Sequence, residues 1–240
     1  MARFIRLISQ RSDSFIRCSA LATPRRLLSV TSPPSPSSGS GSGFSLLTPG
    51  SLNEVVKLDV LMQESSDRIK EIWSESHTVN KTGLHICGDL DVQQDRLLRS
   101  NGKKCPMFVF PVFKGSDDQY MMLFSQFQEN MFILTYLEEY KRNPASARPW
   151  MQVTLYDELV EEKAIGLYRA DFIPELSEAE STKLLKILLY MYSDEEMYNS
   201  HVLIFNKHPE RFDFNNYVDS VKKIALRTIE DNNHTASDVK

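Results

Sequence analysis

Apolar residues fall in short dense runs between residues 105 and 136 and at wider, helical intervals on either side. Three of the dense runs predict strands: Met107 to Phe113 (MFVFPVF), Gln119 to Ser125 (QYMMLFS) and Asn130 to Tyr136 (NMFILTY). Turns are expected at residues 114–118 and 126–129. The runs are apolar at consecutive positions rather than strictly alternating, so both faces of the sheet should be covered. Pro111 has no N–H to give and suits an edge strand or a bulge. Further on, Trp150 to Thr154 and Ala164 to Ala170 read as two more strands, joined through a short helix at 155–162. The fold class is therefore α+β: a mixed, largely antiparallel sheet of about five strands flanked by helices, with a helical C-terminal segment.

The helices are marked by their caps. Ser51-x-x-Glu54, Ser177-x-x-Glu180 and Ser193-x-x-Glu196 each fit a capping box. Behind the first, Leu58, Leu61, Met62, Ile69, Ile72 and Trp73 share one broad face, with a break near Ser65 and a second helix starting at Asp67. Behind the others, Leu184, Leu185, Leu188 and Tyr192, then Tyr198, Leu203 and Phe205, then Tyr217, Val218 and Val221, predict three amphipathic helices. Residues 77–104 are polar and Gly-punctuated and read as loop, with a short apolar patch at Leu84 to Leu90. The expected organisation is a presequence at 1–30, a Ser/Pro/Gly linker at 31–50, a helical segment at 51–76, the loop at 77–104, an α/β core at 105–230 and a polar tail at 231–240.

Charge divides the chain. Of 28 basic and 32 acidic residues among 240, residues 1–43 hold six arginines and one acid. The remainder thus carries 22 basic and 31 acidic residues, a net of −9. So acidic a body argues against binding nucleic acid or an anionic membrane. Phe4, Leu7, Ile8, Phe15 and Ile16 form an apolar stripe among the arginines, the pattern of a mitochondrial import signal, with a plastid address as the alternative. Cys18, Cys87 and Cys105 are too few and too scattered for a disulfide framework. No uninterrupted apolar stretch is long enough to span a bilayer.

Motifs for chemistry are sparse. His77, His85 and Cys87 contain metal-ligand types but at no standard spacing, so no metal is expected. His201 and His208 read as a helix-face group and a helix terminus. There is no phosphate loop, HExxH or nucleophile elbow, and no cofactor is expected. The acidic pairs Asp117–Asp118, Glu138–Glu139, Glu161–Glu162 and Glu195–Glu196 fall in turns or at helix ends, where a solvated surface is the default. A small hydrolase or transferase would need some of them to converge in the fold. A structural subunit of a larger matrix complex is the remaining alternative.

Several stretches taken in order resemble one family. They are Glu71-Ile-Trp73 with His77, Phe108 to Val112, Tyr120 to Phe127, Phe132 to Tyr140, Arg148-Pro149, Thr154-x-Tyr156-Asp-Glu-Leu159, Glu162-Lys-x-Ile165, Arg169-Ala-Asp171, Phe205-Asn206, Pro209 and Phe212 to Phe214. Together they look like the mitochondrial assembly factors that chaperone the β subunit of the F-type ATP synthase catalytic head. Gly166 stands where a small β-branched residue is expected. The resemblance covers about 70–230. It implies a monomeric matrix protein, not an enzyme, that binds unassembled β subunit until it pairs with α. The matched apolar residues Phe108, Phe110, Leu123 and Phe132 read as core. Partner contacts are expected instead at Tyr136, Glu139, Tyr140, Arg148, Trp150, Arg169 and Asp171, with the 58–73 helix as a further candidate.

Overall fold

Residues 107–172 of the computed structural model are dominated by an antiparallel sheet, and the structure describes residues 50–79, 84–114 and 119–237. The expected presequence, most of the linker and the turn at 115–118 lie outside these. Six strands pair in the order β1-β6-β5-β4-β3-β2, every neighbour antiparallel. They are β1 (His85–Asp91), β2 (Met107–Phe113), β3 (Tyr120–Gln128), β4 (Met131–Tyr136), β5 (Pro149–Tyr156) and β6 (Ile165–Phe172).

The α+β class and the largely antiparallel sheet hold. Two details differ: the sheet has six strands rather than about five, and with every neighbour antiparallel it is not mixed. The predicted helix at 155–162 shrinks because Leu155 and Tyr156 continue β5, opposite Tyr168 and Leu167. What remains is one turn of helix, Val160–Lys163, closed by Ala164 at φ 55. That left-handed residue turns the chain straight back into β6, so no crossover forms and the strands run antiparallel. A similar reversal joins β3 to β4 through Glu129 and Asn130, with Glu129 at φ 56. β3 thus runs to Gln128, past the turn expected at 126–129.

The sixth strand and the helix after it come from the segment read as loop. Asp91 ends β1 and caps α4 (Val92–Lys104): its carboxylate accepts from the Gln94 N–H at 2.8 Å, and Gln94 Oε1 accepts from the Asp91 N–H at 3.4 Å. The side that α4 buries includes Asp95, Arg99, Asn101 and Gly102, with Leu98 its only large apolar group there. Gly102 is required because a Cβ there would stand 2.7 Å from the Phe127 ring.

Because paired residues share a face, the register sorts the side chains. One face carries Phe108, Phe110, Leu123, Phe127, Phe132, Leu134 and Val153. It is covered by α4 and the C-terminal helices, and its centre is aromatic. The Phe108 ring lies 5.0 to 5.3 Å from those of Tyr217, Phe110 and Phe205, and Phe132 lies 4.8 Å from Tyr192. These helices are α7 (Glu178–Ser193), α8 (Glu195–Met197), a π-helical stretch Tyr198–Leu203, α9 (Ile204–Lys207) and α10 (Phe214–Ser237). The Ser177–Glu180 box forms as expected. Asp194 rather than Ser193 caps α8, accepting from the Met197 N–H at 2.9 Å. Helix α10 runs to Ser237, through most of the expected tail.

The opposite face is covered unevenly. At the β1–β6–β5 end, α1 (Leu52–Val55), α2 (Leu58–Leu61) and α3 (Ser66–Val79) pack Leu52, Leu61, Ile69 and Trp73 against Tyr156, Ile165 and Leu167. The predicted stripe is therefore core: Ile69 is fully buried and Trp73 stands 5.8 Å from Tyr156. The first cap forms without the expected box: Ser51 Oγ accepts from the Asn53 N–H at 3.4 Å, and the Leu52 N–H donates to Glu158 Oε1 at 2.7 Å. At the other end, α5 (Leu137–Arg142) lays Tyr140 on Phe124 at 4.6 Å. One turn, α6 (Val160–Lys163), completes the set.

Candidate functional site

The seven expected contact residues separate into two groups. Five gather where β4 ends, α5 begins and β5 starts. Tyr136 precedes α5, and its ring lies 5.1 Å from that of Trp150 at an interplanar angle of 31°. The register shifts between Leu134 and Thr135, which pair with Met151 and Pro149, so Trp150 occupies a bulge. Trp150 is buried and its indole N–H meets no acceptor among the described residues. Glu139 and Tyr140 are half-buried on α5, and Arg148 is exposed in an ion pair with Glu175.

The other two, Arg169 and Asp171, sit on β6. Arg169 Nε and Nη2 donate to Asp171 Oδ1 at 3.0 and 2.7 Å, both side chains about 28 and 27 % exposed. They lie two positions apart on the sheet face away from the C-terminal helices. Gln152 and Thr154 stand opposite them on β5, and His85 and Cys87 on β1. Gln152 donates to Thr154 Oγ1 at 3.2 Å while its Oε1 is buried without a donor among the described residues. This row of polar residues crosses β5, β6 and β1, outside the aromatic strands β2 to β4. Sequence reasoning passed over Gln152 and Thr154, although the Trp150-Met-Gln-Val-Thr154 alternation places them together on one face.

The sparse metal-ligand types do meet. His77 and His85 stack edge-on at 5.2 Å, and Cys87 Sγ approaches Trp73 O at 3.9 Å. His77 Nδ1 donates to Trp73 O at 2.8 Å, and His85 Nε2 to His77 O at 3.2 Å. Among the described residues, no group of three or more His, Cys, Asp or Glu is placed to hold a metal. The paired acids Glu161–Glu162 line a cavity of about 450 Å³ with Asp95, Arg96, Asp157, Glu158 and Val160. Three of its carboxylates are committed to structure: Asp95 and Asp157 to Arg99, and Glu158 to the start of α1.

Burial sets the titration of the interior. It lowers His77, with Arg169 and His85 adding to the effect against the Trp73 carbonyl, and it lowers His201. It raises the Cys87 and Cys105 thiols and pushes Tyr156 and Tyr168 up to about 12. A folded-state imidazole value below the ordinary 6.5 contributes stability that is complete above 6.5. That contribution is lost as pH falls through the lowered values. The melting temperature should therefore drop between pH 7.5 and 5.5, and His77→Gln with His201→Gln should flatten the slope. An unchanged slope in the double variant would refute this account.

A model of the ATP11 protein family matches residues 40–218. The chain belongs to the ATP11 family. This is the family of mitochondrial F1 ATP synthase assembly factors, associated with the mitochondrial matrix, and membership assigns the chain a role in F1 assembly. No curated protein matches the chain. The family match takes in α1 to α3 as well as the whole sheet, so it begins well before the resemblance at 70–230. At Gly166, where a small β-branched residue is expected, a Cβ would stand 3.0 to 3.2 Å from the Asp95 side chain, a tight contact that glycine avoids. Among the described residues, no helix of this ATP11 member is long and apolar enough to cross a membrane.

Proposed function

We propose that this chain is a molecular chaperone that binds the unassembled β subunit of F1, prevents its aggregation and yields it to α. The family match over residues 40–218 carries the reading. An F1 subunit awaiting its neighbour exposes apolar assembly surface, which is an aggregation hazard. Covering it calls for a shaped surface and binding weaker than that of the final partner, so release follows from competition by α. In this reading the chain enters the matrix by the Arg-rich presequence of residues 1–30, which is then removed, and acts as a monomer. The aromatic block is spent on the core: Phe108, Phe110 and Phe132 are fully buried. Contact therefore falls to the corner of Tyr136, Glu139, Tyr140 and Arg148 backed by Trp150, and to the Arg169–Asp171 pair.

The test is capture by the mature chain of separately purified α and β subunits. Retention of β, none of α, and release of β on adding α are expected. Equal retention of both, or of neither, would overturn the proposal. Arg169→Ala with Asp171→Ala should weaken capture of β about tenfold without lowering the melting temperature by more than a few degrees.

A further inference from the structure

The two edges of the sheet are treated differently. Antiparallel pairing alternates, so every second residue of an edge strand turns its N–H and C=O away from its neighbour. Pro106 O accepts from the Phe127 N–H and the Lys114 N–H donates to Gln119 O, which leaves Met107, Val109, Pro111 and Phe113 of β2 facing outward. That edge is partly closed by side chains. The Asn206 side chain holds both groups of Met107, accepting from its N–H at 3.3 Å and donating to its carbonyl at 2.6 Å. The Tyr217 hydroxyl donates to the Val109 carbonyl, and Pro111 has no N–H.

At the other edge, the Phe172 N–H donates to Leu84 O at 3.0 Å. By the same alternation His85, Cys87 and Asp89 of β1 turn their main-chain groups outward. No hydrogen bond to the N–H or C=O of Cys87 or Asp89 on that side is present among the described residues. β1 is a seven-residue strand without proline or lysine, and Asp89 is exposed, its carboxylate 3.2 Å from Lys70 Nζ. Asp89 is a charged guard of the usual kind, and an edge otherwise left open is a template for another strand.

We infer that the open edge of β1 is a docking strand, onto which an extended, basic segment of the captured F1 subunit is added by main-chain pairing. The inference rests on the proposed capture of an F1 subunit. Charge selects the occupant. Asp89 is paired with Lys70 and Asp91 caps α4. The net −9 of residues 44–240 repels a second copy of this chain while attracting a Lys- or Arg-bearing strand. Main-chain bonds supply affinity to a largely unspecified sequence, which suits a subunit segment not yet in its final place. α3 forms one wall of the track, through the His77–His85 contact and the Lys70–Asp89 pair.

Hydrogen exchange of the mature chain with and without isolated β subunit tests this. The Cys87 and Asp89 amides should slow at least tenfold in the complex, while those of Ile86 and Gly88, already bonded to β6, change little. Asp89→Pro removes an outward N–H without touching the β1–β6 ladder, and should weaken capture at least tenfold. Asp89→Ala, which keeps the N–H, should weaken it only a few-fold. If β is captured but the two amides exchange as before and Asp89→Pro captures normally, the docking strand is refuted and the chaperone reading stands. Loss of all capture by the unsubstituted chain would refute the chaperone reading and the docking strand with it. Slowing of the two amides in the chain alone, growing with its concentration, would make the occupant a second copy and overturn the inference. Should Asp89→Pro not fold, the exchange result on the unsubstituted chain decides.

Discussion

Phe108→Ala should lower the stability of the folded chain by about 3–5 kcal/mol, measured by urea unfolding with an unchanged denaturant slope. Phe108 is fully buried on β2, and its ring meets those of Phe110, Phe205, Phe212 and Tyr217 at 5.0 to 6.2 Å. Four aromatic neighbours from one strand, two helices and the loop between them cannot all collapse into the space it leaves, so the cavity persists. A loss of that size is a large fraction of the roughly 5–15 kcal/mol that holds a domain together. It corresponds to a fall of roughly 6–20 °C in melting temperature for a domain of this length. Phe108→Leu, which keeps most of the volume, should cost less than about 1.5 kcal/mol. A cost below about 1 kcal/mol for the alanine variant would show that the aromatic cluster is not the centre of the core.

Asp95→Ala should cost about 3–5 kcal/mol, for an electrostatic reason. The Asp95 side chain is only 3 % exposed, and both its oxygens accept from Arg99 Nε, at 3.0 and 2.9 Å. Without it the guanidinium, 11 % exposed, keeps among the described residues only Asp157, 3.3 Å away and 53 % exposed. Replacing the pair together, Asp95→Leu with Arg99→Met, removes both charges and should restore stability close to that of the unsubstituted chain or above it. Urea is the denaturant of choice, because guanidinium ions would screen the pair being measured. A single-variant cost equal to that of the double variant would show that the charge left behind is not what destabilises.

These two residues mark the limits of what pattern reveals. Phe108 lies in an aromatic run whose burial is legible at once. Asp95 and Arg99 lie on a helix whose buried side is polar, so hydropathy placed residues 77–104 in a loop. One local signal was there to find: Asp91-x-x-Gln94 is a capping box, and it forms. β1 had no such signal. Its residues are mostly half-exposed, it holds a glycine and two exposed aspartates, and only β6, more than seventy residues away in sequence, makes it a strand. The candidate contact residues were legible as positions near strand ends. Their division into a corner at β4–α5–β5 and a pair on β6 was not, because it depends on strand order.

The sequence by itself determined the aromatic strands, the caps of the main C-terminal helix, the apolar stripe of α3 and the family pattern. Each is written in neighbouring residues and local backbone chemistry. The tertiary structure alone decided that β1 joins β6, that Trp73 is core, that a polar row crosses one face of the sheet, and that one edge is partly capped while the other has no partner among the described residues. Those features arise from pairings between distant segments, where hydrogen-bond alternation and shared faces, rather than local preference, set what each residue does.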